Sequence, residues 1–212
     1  MLILGIYVVL FIMMIGTLKK PYYVFFKGLN SLAFVGIAIY GAISANRVDF
    51  LYILLPGLIG CMLGDIILAT KLKNHFLYGL IAFLIANLCF VLSFYRLQGL
   101  RIEEFMIPVI AMIVLVSLSY LPHMNYSQLE KPVMIYCFVI AWAMSKSIML
   151  YLSFQTSLFL WLMIGFILYF ISDFILLFYK FYECQYKNQL GFLNLLTYYA
   201  GLFMIVYSLM IL

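Results

Sequence analysis

Charge is what this chain has least of. Only 9% of its 212 residues are Asp, Glu, Lys or Arg, against 68% that are hydrophobic, and mean hydropathy is +1.20. A water-soluble domain with that balance would aggregate, so the scarcity of charge makes this an integral membrane protein. Other absences narrow the chemistry. There is no GxSxG nucleophile elbow, no HExxH zinc motif and no glycine-rich phosphate loop, and the two histidines, His75 and His123, fall between apolar runs. No metal site built from histidine is expected, and no cofactor. Cys61, Cys89, Cys137 and Cys184 occur singly, and the three inside apolar runs read as packing residues. Alternating apolar and polar positions of the barrel type are missing, which leaves helices as the spanning elements. The net charge of +5 calls for no nucleic-acid partner, because the basic residues sit in short loops where topology accounts for them.

What the chain does have is a succession of apolar runs, each near the roughly 20 residues a helix needs to cross about 30 Å of hydrocarbon. Punctuated at charges, prolines and polar clusters, they give an all-α, polytopic fold of eight transmembrane helices, at about 2–17, 28–45, 50–70, 76–95, 104–121, 132–153, 157–179 and 190–211. The first run lacks the basic flank and small-x-small cleavage site of a secretory signal and is read as a span. All connections are short, so residues 1–212 form a single transmembrane domain and any chemistry belongs to the bundle. Odd-numbered loops hold Lys19, Lys20, Lys27, Lys71, Lys73, Lys131, Lys180 and Lys187, while even-numbered loops hold Arg47, Arg96 and Arg101. That bias places the odd loops in the cytoplasm and both termini on the other side. The expected location is the cytoplasmic membrane of a bacterium, or an internal membrane such as the endoplasmic reticulum of a eukaryote.

Two carboxyls stand out against this background. Asp65 lies in Leu63-Gly64-Asp65-Ile66-Ile67-Leu68 and Asp173 in Ile171-Ser172-Asp173-Phe174-Ile175-Leu176, each after a small residue and each within a long apolar run. They read as the only acids set inside such runs. An ionisable group in hydrocarbon costs about 2.5–3.5 kcal/mol on insertion scales, so both are functional candidates by default. The sequence places each roughly 9–10 Å from the cytoplasmic end of its helix, just beneath the headgroup zone. Lys27-Gly28 and Lys131-Pro132 repeat the echo at the openings of spans two and six, the pattern expected of two parallel four-helix repeats, 1–100 and 101–212.

Asn30, one turn beyond Lys27, Tyr136, about 6 Å into span six, and Asn87, Tyr198 and Tyr199, roughly a third to a half of the way across, are the expected lining of a polar pocket open to the cytoplasmic leaflet. Lys27 and Lys131 are expected at its rim, which leaves neither aspartate a basic partner at its own depth. The competing reading for Asn30, Asn87 and Tyr136 is an interhelical hydrogen bond or an aromatic-belt position. Lys146 sits farther out, and its ammonium is expected to snorkel to the outer interface rather than partner an aspartate. A dyad of Lys146 with Ser145 or Ser147 lacks an oxyanion hole. Buried acids and repeats also suit a small-solute or proton-coupled transporter, the alternative function.

At these residues the chain resembles the YhhN/TMEM86 family of membrane proteins, the lysoplasmalogenases. The resemblance rests on the two aspartate motifs, on Gly79-Leu80-Ile81-Ala82-Phe83-Leu84-Ile85-Ala86, on Pro132 with Tyr136, Ile140 and Met144, on Gly165, and on Tyr198-Tyr199-Ala200. The chain departs from the family pattern in having Asn87 and Phe90 where a histidine and a tyrosine are usual, Lys27-Gly28 for Lys-Pro, and Gly201-Leu202 where a glutamine is expected. The resemblance implies hydrolysis of the sn-1 vinyl-ether bond of lysoplasmalogens, a lipid substrate, to fatty aldehyde and a glycerophospho-base, with Asp65 and Asp173 as the catalytic pair. Lys27 and Lys131 would then hold the phosphate.

Overall fold

The computed structural model describes residues 2–211 and is helical from end to end, without strands among the described residues. The helices are α1 (Leu2–Gly16), α2 (Tyr23–Ser44), α3 (Val48–Ala69), α4 (His75–Phe94), α5 (Met106–Ser119), α6 (Glu130–Phe154), α7 (Ser157–Phe181) and α8 (Lys187–Tyr207). Seven segments, α2–α4 and α6–α8 together with α5 and its preceding turn, have the length and apolarity to cross a membrane. Helix α1 is shorter, 15 residues, or about 22 Å at 1.5 Å per residue. It lies on the bundle, with Tyr7 donating a 3.0 Å hydrogen bond to the backbone oxygen of Tyr199 in α8.

Helices α2, α6 and α8 each begin earlier than the sequence suggests. Lysine ends a hydrocarbon span but not a helix, so α2 runs on through Lys27 and α8 starts at Lys187. Lys27 thereby becomes an interior helical residue.

Six helices close a ring in the order α2, α3, α4, α6, α7, α8, with α1 against α2 and α5 against α6. The same packing set recurs: α3 meets α4 as α7 meets α8, α2 meets α3 as α6 meets α7, and α4 meets α6 as α8 meets α2. This supports the proposal that residues 1–100 and 101–212 are duplicates of one unit. The tightest seams use glycine. A Cβ on Gly201 would stand 2.8 Å from the Gly165 backbone oxygen, and one on Gly64 would stand 2.7 Å from the Phe83 ring, so no larger side chain lets these helices approach as they do.

Aromatic rings fill the centre of the ring, among them Phe90, Phe94, Phe166, Tyr169 and Tyr198, all buried. The connections at the odd-loop end are tied together: Asn125 donates to the Phe181 oxygen at 2.9 Å and Glu183 to the His123 oxygen at 3.1 Å. Those bonds fix the mouth of the bundle where α5–α6 and α7–α8 turn.

Candidate active site

Helices α3 and α7 face each other across the ring, and each presents its aspartate one helical turn beyond a polar contact. Cys61 Sγ lies 3.5 Å from the Tyr169 hydroxyl. Cys61 is four residues before Asp65 and Tyr169 four before Asp173, so each pair shares one helix face. Both carboxyls line one cavity of about 320 Å³ at the odd-loop end.

Their surroundings differ. Asp65 is 1% exposed, with the Lys27 ammonium 3.2 Å from Oδ1. Its Oδ2 accepts from Ser31 at 2.7 Å and from Tyr198 at 2.9 Å. Ser31 in turn is 3.3 Å from the Tyr199 hydroxyl. The expectation of an acid without a basic partner at its depth is overturned for Asp65, because Lys27 is a helical residue facing the bundle and only 5% exposed, not a loop residue at the rim. Such a pair is retained in low dielectric only when further hydrogen bonds complete it, and Ser31 and Tyr198 supply them.

Asp173 is half-buried, accepts from the Tyr136 hydroxyl, and has no ion-pair partner among the described residues. It borders a second cavity as well, of about 340 Å³, running between α4, α5, α6 and α7. That space is walled by apolar side chains such as Leu80, Ala111, Val114 and Ile140. Asp173, Phe76 and Leu176 line both cavities.

Of the residues expected to line a polar pocket, Lys27 and Tyr198 line the polar cavity and Tyr136 the apolar one. Tyr199 is one hydroxyl removed, through Ser31. Asn87 donates at 2.9 Å to the Phe83 oxygen and at 3.2 Å to the Tyr169 hydroxyl, bracing the α3–α7 contact from α4. Asn30 is fully buried with neither side-chain polar atom hydrogen-bonded, and lines neither cavity. Lys131 is exposed at the start of α6 and lines neither cavity. Sequence reasoning missed Ser31 and Tyr169, which carry no charge, and Lys19, Lys180 and Lys187, whose convergence on the polar cavity depends on how distant loops meet.

Two further expectations are corrected at the other end. Lys146 does not snorkel: it is fully buried, with Nζ 2.8 Å from Glu104 Oε2 and 2.7 Å from the Gly99 oxygen. Its ammonium stands 4.2 Å from the Tyr95 ring centroid, and Glu104 also accepts from the Tyr95 hydroxyl. Glu104, placed by sequence at the edge of span five, is therefore a third acid buried in the bundle. It lies on a 3-10 turn, Ile102–Phe105, that folds inward over α6 and brings the counterion to the lysine's own depth. With Lys146 so engaged, and Ser147 donating to the Met144 oxygen at 2.7 Å, no serine–lysine dyad forms.

Fold and site define a polytopic α-helical membrane protein with a carboxyl-lined cavity opening at one face. The chain belongs to the YhhN family, whose model matches residues 22–209. No match was found among curated proteins or among solved structures.

Proposed function

We propose that the chain is a membrane-embedded hydrolase of lysoplasmalogens, cleaving the sn-1 vinyl ether with Asp173 as the proton donor and Asp65 as the carboxylate. The observation that carries this reading is the position of Asp173, at the one place where a polar, lysine-lined cavity and an apolar cavity share a wall. A single-chain lipid with its head among the lysines and its alkenyl chain along α4–α7 has its linkage at that carboxyl.

The two acids are suited to different tasks. Asp65 accepts from an ammonium and two hydroxyls, the company of an ionised carboxylate. Asp173, with a tyrosine hydroxyl and apolar walls, is accommodated as the neutral acid. In the proposed reaction Asp173 gives its proton to the vinyl carbon remote from oxygen. The resulting oxocarbenium ion is stabilised by the Asp65 carboxylate. Water adds to the oxygen-bearing carbon, returning a proton to Asp173, and the hemiacetal collapses to fatty aldehyde and the glycerol hydroxyl of the released head. One water is consumed and the acid is regenerated. The lysine-lined mouth belongs, on this proposal, in the cytoplasmic leaflet, with both termini on the opposite side.

The test is incubation of purified protein with an alkenyl lysophospholipid in detergent, followed by mass spectrometry for free aldehyde. Rapid aldehyde release from the wild type and strongly slowed release from correctly inserted Asp65→Asn and Asp173→Asn variants is expected. Full activity in both variants would remove the assignment.

A further inference from the structure

The polar cavity carries more positive charge than the proposed chemistry uses. Lys19, Lys27, Lys180 and Lys187 all line it, beside Asp65 and Asp173. Lys27 is committed to Asp65. The other three make no ion pair with any described residue and come from three separate stretches: the α1–α2 turn, the end of α7 and the first turn of α8. The bias of lysine toward one membrane face does not account for this. Lys20, Lys71, Lys73 and Lys131 share that end of the bundle and line neither cavity.

Two of the three occupy places that local structure disfavours. Lys19 has φ 69°, a left-handed conformation uncommon outside Gly, Asn and Asp. Lys187 sits in the first turn of α8, where the helix dipole opposes a positive charge. The Lys180 ammonium stands 5.0 Å from the ring centroid of Phe76, the residue that with Asp173 and Leu176 walls both cavities. An anion held among the three lysines would offset the cost of those two placements.

Beyond Asp65 and Asp173 the cavity has no carboxylate among its lining residues to pair with an ammonium. A choline or ethanolamine head brings an ammonium that Lys19, Lys180 and Lys187, without ion-pair partners among the described residues, repel. Asp65 is held by Lys27, Ser31 and Tyr198 and in the proposed function faces the cation formed at the linkage, Asp173 stands at that same linkage, and the Phe76 and Tyr179 rings already face the Lys180 ammonium. We therefore propose, resting on the lysolipid reading of this site, that the preferred substrate carries an anionic head without an ammonium: a phosphate monoester, or a phosphodiester to an uncharged alcohol. Lys19, Lys180 and Lys187 hold that phosphate.

The experiment measures equilibrium binding of two uncleavable 1-alkyl lysolipids to the full-length protein in detergent, one with a phosphate head and one with phosphoethanolamine. The phosphate form is expected to bind at least about tenfold more tightly, and rising salt is expected to shrink that preference. A Lys19→Gln/Lys180→Gln/Lys187→Gln variant loses the preference, while Lys20→Gln/Lys71→Gln keeps it. Should the triple variant fail to fold, the salt dependence of the wild type and Lys187→Gln alone still decide. Equal or tighter binding of the ethanolamine lipid, or a preference indifferent to salt and to these lysines, overturns the inference. So does inorganic phosphate binding as tightly as the lipid, which would make the ligand a free anion. Because neither lipid is cleaved, the result is independent of catalysis. Phosphate-selective binding with no aldehyde from either alkenyl lipid would sink the hydrolase reading alone, and aldehyde release with no such selectivity would sink the head-group inference alone.

Discussion

Cys61 and Tyr169 touch across the centre of the ring at 3.5 Å, and one turn further along the same two helix faces stand Asp65 and Asp173. The contact sets the register between α3 and α7, which otherwise pack on α2 and α4, and on α6 and α8. Register decides whether two carboxyls on opposite helices open into one cavity.

Lys27→Met leaves Asp65 a buried, uncompensated carboxylate, and removing one partner of a buried pair costs about 3–5 kcal/mol. Thermal unfolding in detergent should show a marked loss of stability. Adding Asp65→Asn should restore much of it without restoring activity.

The same logic applies at the far end, away from the cavities. Lys146→Met should destabilise to a similar degree, about 3–5 kcal/mol, and Lys146→Met/Glu104→Gln less than the single change. Both proteins, once folded, should release aldehyde at close to the wild-type rate, since neither residue lines the polar or the apolar cavity. Unfolding curves and aldehyde rates on the same samples check this.

Tyr136→Phe removes the only side chain bonded to Asp173 among the described residues. A hydrogen bond to an acid that changes charge is worth about 1.5–3 kcal/mol, so kcat should fall by roughly ten- to a hundredfold. Substrate binding should change little, which steady-state kinetics separates as a kcat effect with KM unmoved.

Ala111→Trp builds an indole into the apolar cavity from α5. Long-chain substrates should lose affinity, seen as a raised KM, while short-chain analogues keep theirs. A uniform loss across chain lengths would argue against the α4–α7 space as the chain site.

Much of this is legible in the amino-acid sequence. Asp65 and Asp173 announce themselves because a carboxyl in an apolar run is costly, and the eight helices follow from run length. The partners of those acids are less visible. Lys27 reads as a boundary because charge ends a hydrophobic run, yet the helix continues through it and turns its ammonium inward. Glu104 reads as the edge of span five for the same reason, and Lys146, inside span six, as a side chain that snorkels outward; only the inward fold of the 3-10 turn unites them. Ser31 and Tyr169 are ordinary in sequence; their role arises from which helices adjoin, information that a hydropathy pattern does not hold.

Proton transfer from Asp173 to carbon is the centre of the account, and it leaves an isotopic record. Cleavage of an alkenyl lysolipid in D2O, with the aldehyde reduced at once and analysed by mass spectrometry, should place one deuterium on the carbon next to the former carbonyl, and Asp173→Asn should slow the reaction by about 10²–10⁴-fold. Aldehyde without that deuterium, or an Asp173→Asn protein as fast as the wild type, would contradict it.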